Sequence, residues 1–270
     1  MYDWEGECIM SEMIKAVILG VIQGLTEFLP VSSSGHLLVF RKLLGLSEAG
    51  LFLDTMLHFG TLLAVIAVFW RDILDMIKKP FSHLTLLVIV GTIPTAIIGL
   101  FFKDFFEELA VSGVTVGWEF LATGFIIWLA DRVKDKGRKE IRDISFGDTL
   151  IVGTLQGVAI LPAISRSGLT IGGALFQGIH RKTAARFSFL LSIPAIMGAV
   201  VIQSADLLGG KAEAIGTAPL IIGTIVSAVT GYIAVKWMLN VIQRGSLRGF
   251  AYYVWILGAV IIVAQFMGKF

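Results

Sequence analysis

Two short segments of this chain gather the residue types that handle phosphate. The first is Gln23-Gly24-Leu25-Thr26-Glu27-Phe28-Leu29-Pro30, which runs into Val31-Ser32-Ser33-Ser34-Gly35-His36. The second is Pro162-Ala163-Ile164-Ser165-Arg166-Ser167-Gly168-Leu169-Thr170. Each interrupts a long apolar stretch, so its charges lie at membrane depth. An ionised carboxylate there costs roughly 2.5–3.5 kcal/mol on insertion scales, which means that Glu27 must meet a partner, a metal, a proton or water. The serine run opens a new helix, whose free N–H groups and dipole make an anion site. Arg166 adds a permanently charged fork matched to phosphate oxygens.

Together the segments contain what phosphoryl transfer requires. Ser33 is the favoured nucleophile, Glu27 the base or a metal ligand, and Arg166 the cation that stabilises the transferring group. His36, three residues after Ser33, is placed on the same helix face to orient phosphate or relay a proton. Attack by water or by His36 itself remains open. Ser32, Ser34, Ser165, Ser167 and Thr170 are supporting phosphate contacts. Gln23 is a further candidate, and Asp54 and His58, four apart at the start of a span, share a face near the mouth either as site residues or as interfacial polar groups. His83 and His180 fall at loop edges and read as solvated.

The elements that position these residues are membrane helices. Of 270 residues, 56% are hydrophobic and 16% charged, with a mean hydropathy of +0.85, which excludes a soluble globular domain. A net charge of +2 from 22 basic and 20 acidic residues excludes nucleic acid as a partner. The lone Cys8 leaves no disulfide framework or cysteine-ligated zinc site. Asp3, Glu5, Glu7 and Glu12 stand where a signal peptide would be basic, so no cleaved leader is expected.

Apolar runs near 53–70, 84–102, 115–130, 187–203, 216–236 and 249–268 have the length of bilayer crossings. The stretches at about 14–45 and 149–180 are broken by the two polar motifs, and each half is too short to cross, so each is expected to fold back as a hairpin. Irregular backbone at that depth requires a protein-lined or watery cavity. The hairpins are copies: with an offset of 133, Gly20, Gln23, Gly24, Ser32, Ser34 and Gly35 fall on Gly153, Gln156, Gly157, Ser165, Ser167 and Gly168. With an offset of 132, Ile89, Gly91, Thr92, Ile93, Ala96 and Gly99 fall on Ile221, Gly223, Thr224, Ile225, Ala228 and Gly231.

The expected architecture is therefore an all-α integral membrane protein of two inverted repeats in one membrane domain. Each repeat is a re-entrant helix-loop-helix hairpin plus three transmembrane helices. The repeats cover about 14–130 and 149–268, with a linker at about 131–148. Arg132, Lys134, Lys136, Arg138, Lys139 and Arg142 make that linker cytoplasmic, with Arg71, Lys78, Lys79, Arg181, Lys182, Arg244 and Arg248 on the same side. Both termini and the 103–112 loop are then outside, and Arg41 and Lys42 are the exception to the charge rule.

At these residues the chain resembles the undecaprenyl-diphosphatase family, bacterial membrane enzymes also associated with bacitracin resistance. Gln23 to His36 matches its [E/Q]GxxEFLPVSSxGH pattern, and Pro162 to Thr170 its PGxSRSGxT pattern. Hydropathy and the Asp54-to-Thr61 stretch extend the likeness over about residues 14–268. Gln23 stands where some members have Glu, which removes a two-carboxylate mechanism, and Ala163 replaces a usual Gly. The resemblance implies hydrolysis of undecaprenyl diphosphate to undecaprenyl phosphate and inorganic phosphate, recycling the lipid carrier of cell-wall synthesis in the bacterial inner membrane. It also implies an extracytoplasmic site, a divalent cation (Mg2+ or Ca2+) with Glu27 as its ligand, and bacitracin as a competitor for the substrate. Pairing of two copies into a homodimer is left open. The rival reading is a transporter or lipid flippase, since inverted repeats with broken helices also serve alternating access; such a protein needs an anion site but no nucleophile.

Overall fold

The computed structural model describes residues 4–46, 51–133, 137–206 and 216–270. Asp3, Lys134 and Lys136, which enter the charge reading, lie outside them. Among the described residues the chain forms twelve α-helices and no strand. They are α1 (Trp4–Phe28), α2 (Ser33–Leu43), α3 (Leu51–Val68), α4 (Trp70–Lys78), α5 (His83–Phe101), α6 (Lys103–Ser112), α7 (Val116–Arg132), α8 (Phe146–Val158), α9 (Arg166–Phe176), α10 (Arg181–Asp206), α11 (Thr217–Arg244) and α12 (Arg248–Phe266). Four of these, α5, α10, α11 and α12, are long and apolar enough to cross a bilayer. Two more crossings result if each bent pair counts as one, α3 with α4 at 78° and α6 with α7 at 108°. Outward-facing Ile93, Ile97, Ile225, Val229 and Val260 are exposed, as a lipid solvent allows. The chain is a multi-pass membrane protein.

Three expectations need correction. The first arm of the first hairpin is not short: α1 has 25 residues, about 37 Å at the usual helical rise. No proline interrupts residues 4–13, and mixed polarity ends an apolar run without ending a helix. The 103–112 segment, expected as an outer loop, is a helix, because Phe102, Phe105, Phe106 and Leu109 recur at helical spacing and give an amphipathic stripe suited to the interface. His83 is not simply solvated, since its Nε2 lies 2.9 Å from the Ile144 carbonyl oxygen.

Helices in lipid gain nothing from leaving water, so close packing through small residues must hold them together. The glycines do this. α1 packs on α11 and α8 packs on α5. A Cβ on Gly20 would come within 2.7 Å of the Gly223 carbonyl oxygen, and one on Gly153 within 2.1 Å of the Gly91 carbonyl oxygen. Helices α7 and α12 meet in the same way at Gly117 and Gly258.

Ion pairs tie one end of the bundle. Arg186 of α10 pairs with Asp72 of α4, and Lys139 lies 2.9 Å from Asp148 of α8. Asp131 at the end of α7 receives Arg181 at 3.9 Å and Arg248 at 3.0 Å. At the other end Lys42 lies over the ring of Phe270 and Gln265 donates to the Gly113 carbonyl. Arg41 also falls there, ion-paired with Asp54 at 3.2 Å, which gives a basic residue on the side otherwise poor in them a counter-charge.

Candidate functional site

The turn between α1 and α2 meets the turn between α8 and α9 inside the bundle. Each donates to the other: Ser32 Oγ to the Pro162 carbonyl at 3.0 Å, and Ser167 Oγ to the Leu29 carbonyl at 2.9 Å. Each also caps its own helix. Ser32 Oγ accepts the Gly35 N–H at 3.4 Å and Ser165 Oγ the Gly168 N–H at 3.1 Å. The serine and glycine spacing common to both motifs is thus a pair of N-caps, which leaves two helix starts converging on one place.

Glu27 is the centre of that place. One of its oxygens, Oε2, accepts the Ser33 hydroxyl at 2.5 Å and the Gln23 amide at 2.8 Å, with His58 Nε2 at 3.6 Å. The other, Oε1, accepts from Arg166 Nη2 across the interface between the two turns. The second terminal nitrogen of Arg166, Nη1, is buried and has no partner, as is Gln23 Oε1. A buried guanidinium N–H without an acceptor is costly unless a ligand supplies one. These residues close the inner end of a cavity of about 450 Å³. Its wall runs between α5 and α10 past Gly99, Leu100 and Gly198 to Lys103 and Glu107 of α6. Leu100, which lines the cavity, is 64% exposed.

The structure brings together Glu27, Ser32, Ser33, Ser34, His58, Ser165 and Arg166 on this cavity, with Gln23 behind Glu27. It does not bring the others. His36 is displaced from the expected face: Nδ1 lies 2.6 Å from the Ser32 carbonyl oxygen and Nε2 2.7 Å from the Tyr253 hydroxyl, so its ring points to α12. Thr170 is satisfied by the Arg166 carbonyl at 2.8 Å and Ser188 at 2.6 Å. Ser167 is occupied with Leu29, and Asp54 with Arg41. The Asp54–His58 pair therefore splits, because the long Arg41 side chain neutralises Asp54 while His58, one turn deeper, reaches Glu27.

Sequence reasoning missed Glu119, Thr123 and Tyr253. Glu119 of α7 accepts the Ala163 N–H at 2.6 Å, and Thr123 donates to the Ala163 carbonyl at 2.9 Å while accepting the Ser165 N–H at 3.1 Å. Together they grip the turn that carries Arg166. Glu119 had a signal, an acidic residue inside an apolar span, by the same rule that singles out Glu27. Tyr253 had none, since it lies 217 positions from its partner. Gln156, the counterpart of Gln23, lines the cavity and donates to Thr95 at 3.2 Å.

Among the described residues no cluster of three His, Cys, Asp or Glu side chains is present. Glu27 is the carboxylate at the inner end of the cavity, an oxygen donor of the kind that suits a hard cation taking its remaining ligands from water and phosphate.

Residues 16–260 match the family described as bacitracin resistance protein BacA. The chain is 57% identical over 257 residues to an undecaprenyl-diphosphatase 4 of Bacillus thuringiensis, a match covering 95% of this chain and 99% of the relative. It is 54% identical over 258 residues to the undecaprenyl-diphosphatase of Carboxydothermus hydrogenoformans, covering 95% and 98%. To that of Halothermothrix orenii it is 48% identical over 254 residues, covering 93% and 98%.

Proposed function

Because the chain belongs to the bacitracin resistance protein BacA family, we propose that it hydrolyses undecaprenyl diphosphate to undecaprenyl phosphate and inorganic phosphate. The observation that carries this reading is the Ser33 hydroxyl donating to Glu27 beside an Arg166 with an unused N–H. A binding or transport site needs the cation but not a hydroxyl poised on a base.

In the first step Ser33 Oγ attacks the terminal phosphorus and Glu27 takes its proton. The bond from that phosphorus to the bridging oxygen breaks, undecaprenyl phosphate leaves, and Ser33 carries the phosphoryl group. Arg166 Nη1 and the N–H groups at the starts of α2 and α9 hold the equatorial oxygens. The proton on Glu27 passes to a departing phosphate oxygen. In the second step water gives a proton to Glu27 and attacks the phosphorus of phosphoserine, the bond from phosphorus to Ser33 Oγ breaks, and Glu27 returns that proton to Ser33 Oγ as inorganic phosphate leaves. His58, beside Glu27, is placed to pass the proton on. His36 offers no nitrogen to the cavity, which disfavours a phosphohistidine route.

The single positive charge of Arg166 is already balanced by Glu27, while the substrate brings several negative charges. A divalent cation, Mg2+ or Ca2+, would be held by Glu27 and would neutralise the diphosphate oxygens. The chain is read further as an inverted duplication. Supporting this, Gly20 meets Gly223 and Gly153 meets Gly91, partners that correspond at the two repeat offsets. The basic loops collect at the end opposite to Lys103 and Glu107, which supports a cavity opening on the extracytoplasmic side. Bacitracin then acts as a competitor for the same lipid diphosphate.

The test is phosphate release from undecaprenyl diphosphate by the purified protein in detergent. Turnover that disappears in Ser33→Ala supports the reading; lipid binding with no release favours transport.

A further inference from the structure

The serine that precedes the nucleophile is in an unusual conformation. Ser32 has φ 65°, and it is the sole non-glycine residue with positive φ among those described. Such a backbone persists only where its surroundings over-determine it, and it tends to occur at functional sites. Its hydroxyl is held by Pro162, but the carbonyl oxygen decides the orientation of the peptide joining it to Ser33. In a trans peptide the C=O and the following N–H point in opposite directions. Whatever holds the Ser32 carbonyl therefore aims the Ser33 N–H at the start of α2.

That carbonyl accepts twice from His36, from its backbone N–H at 3.3 Å as the first turn of α2 closes and, at the shorter distance, from its ring. A backbone carbonyl can only accept, so His36 Nδ1 carries the proton in the 2.6 Å contact. In the neutral ring Nε2 is then the acceptor, and the Tyr253 hydroxyl donates to it at 2.7 Å. The ring is fixed sideways as well: Phe120 meets it edge-on at 5.4 Å and Tyr253 stacks on it at 5.6 Å. Packing does not explain Tyr253. Its side belongs to the lipid surface, 47% exposed, yet its hydroxyl is directed inward to a histidine that is 2% exposed. Phenylalanine would fill the same space; the hydroxyl adds a lock on the tautomer.

We propose that Tyr253 is a positioning residue for Ser33, acting through His36 to hold the Ser32 carbonyl and so orient the peptide that carries the nucleophile. This rests on the reading of Ser33 as nucleophile. The chain of contacts links α12 to the first turn of α2; Tyr253 and His36 are not among the residues lining the cavity, whereas Ser32 and Ser33, on which they act, are.

The test is a double-mutant cycle on Tyr253→Phe and His36→Ala, assayed with undecaprenyl diphosphate in detergent. Loss of the hydroxyl should lower kcat about tenfold, the factor that one hydrogen bond is worth, with KM within about twofold of wild type. His36→Ala should lower kcat at least as far, and adding Tyr253→Phe to it should change nothing more. Nitrogen-15 spectra of histidine-labelled protein should show the Nδ1–H form of His36 less populated in Tyr253→Phe, which a packing role would leave unchanged. Thermal unfolding in detergent confirms that each variant is folded, and the tautomer readout on Tyr253→Phe stands if His36→Ala fails to fold. Unchanged kcat in folded Tyr253→Phe, additive losses, or an unchanged tautomer would overturn the proposal. Absence of phosphate release by the wild type would instead count against the hydrolase reading itself.

Discussion

Replacing Arg166 by lysine separates charge from geometry at the site. The side chains of Glu27 and Arg166 are 4% and 15% exposed, so lysine keeps a positive charge opposite a buried carboxylate, and the protein should fold. What it loses is the planar fork: one N–H on Glu27 Oε1 and a second, Nη1, that has no partner inside the protein. An ammonium at the end of a flexible chain can serve Glu27 or the phosphate, but not both in fixed directions. A charge-assisted hydrogen bond contributes about 1.5–3 kcal/mol. If it is realised in the transition state, its loss lowers kcat/KM by about tenfold to 150-fold. Arg166→Ala loses the same contacts and also leaves Glu27 unpaired, a penalty of about 3–5 kcal/mol for a buried charge. Part of that penalty should appear as a lower Tm rather than as lost turnover. Steady-state phosphate release with undecaprenyl diphosphate, beside thermal unfolding in the same detergent, distinguishes the two variants. A lysine variant that keeps more than half of the wild-type kcat/KM would refute the bidentate argument and leave charge as the whole contribution.

Ser33→Ala should abolish steady-state release and any acid-stable phosphoenzyme, and a phosphorylated Ser33 should be recoverable from quenched wild type; full turnover by the alanine variant would assign the attack to water. Chelation of divalent ions should suppress turnover with recovery on adding Mg2+ or Ca2+, measured as phosphate release, whereas unchanged release in excess chelator would remove the cation from the site. Gly153→Val should cost about 1–3 kcal/mol or prevent accumulation, because its Cβ would meet the Gly91 carbonyl oxygen at 2.1 Å, while Gly198→Ala, with nothing within 4 Å, should leave Tm unchanged. Glu119→Gln retains an acceptor for the Ala163 N–H and should keep most activity, and Glu119→Ala should lose about tenfold in kcat/KM; equal effects would show that the contact does not position Arg166. A cysteine at Arg142, which is 88% exposed, should react with impermeant reagents only from the cytoplasmic side, and one at Glu108 only from outside.

Composition and pattern alone determined the solvent, the helical class and the identity of the two motifs. An apolar run long enough for a bilayer has few alternatives, and an acidic or guanidinium group inside it demands a partner, so Glu27 and Arg166 stand out without coordinates. Their meeting was legible too, through the repeated Ser and Gly spacing that turned out to be two N-caps. Helical periodicity could not decide which way a side chain at a helix start would turn. His36 is within one turn of Ser33, yet its ring follows the Ser32 carbonyl and the Tyr253 hydroxyl, a choice made by a helix more than two hundred positions away. His58 gained Glu27 while Asp54 went to Arg41, although the four-residue spacing placed them on one face. Thr170 of a matching motif likewise turned to Ser188 of α10 rather than to the cavity. Local sequence sets which groups must be satisfied; only the tertiary structure decides by whom, because the partners arrive from other helices whose approach is governed by glycine contacts and packing.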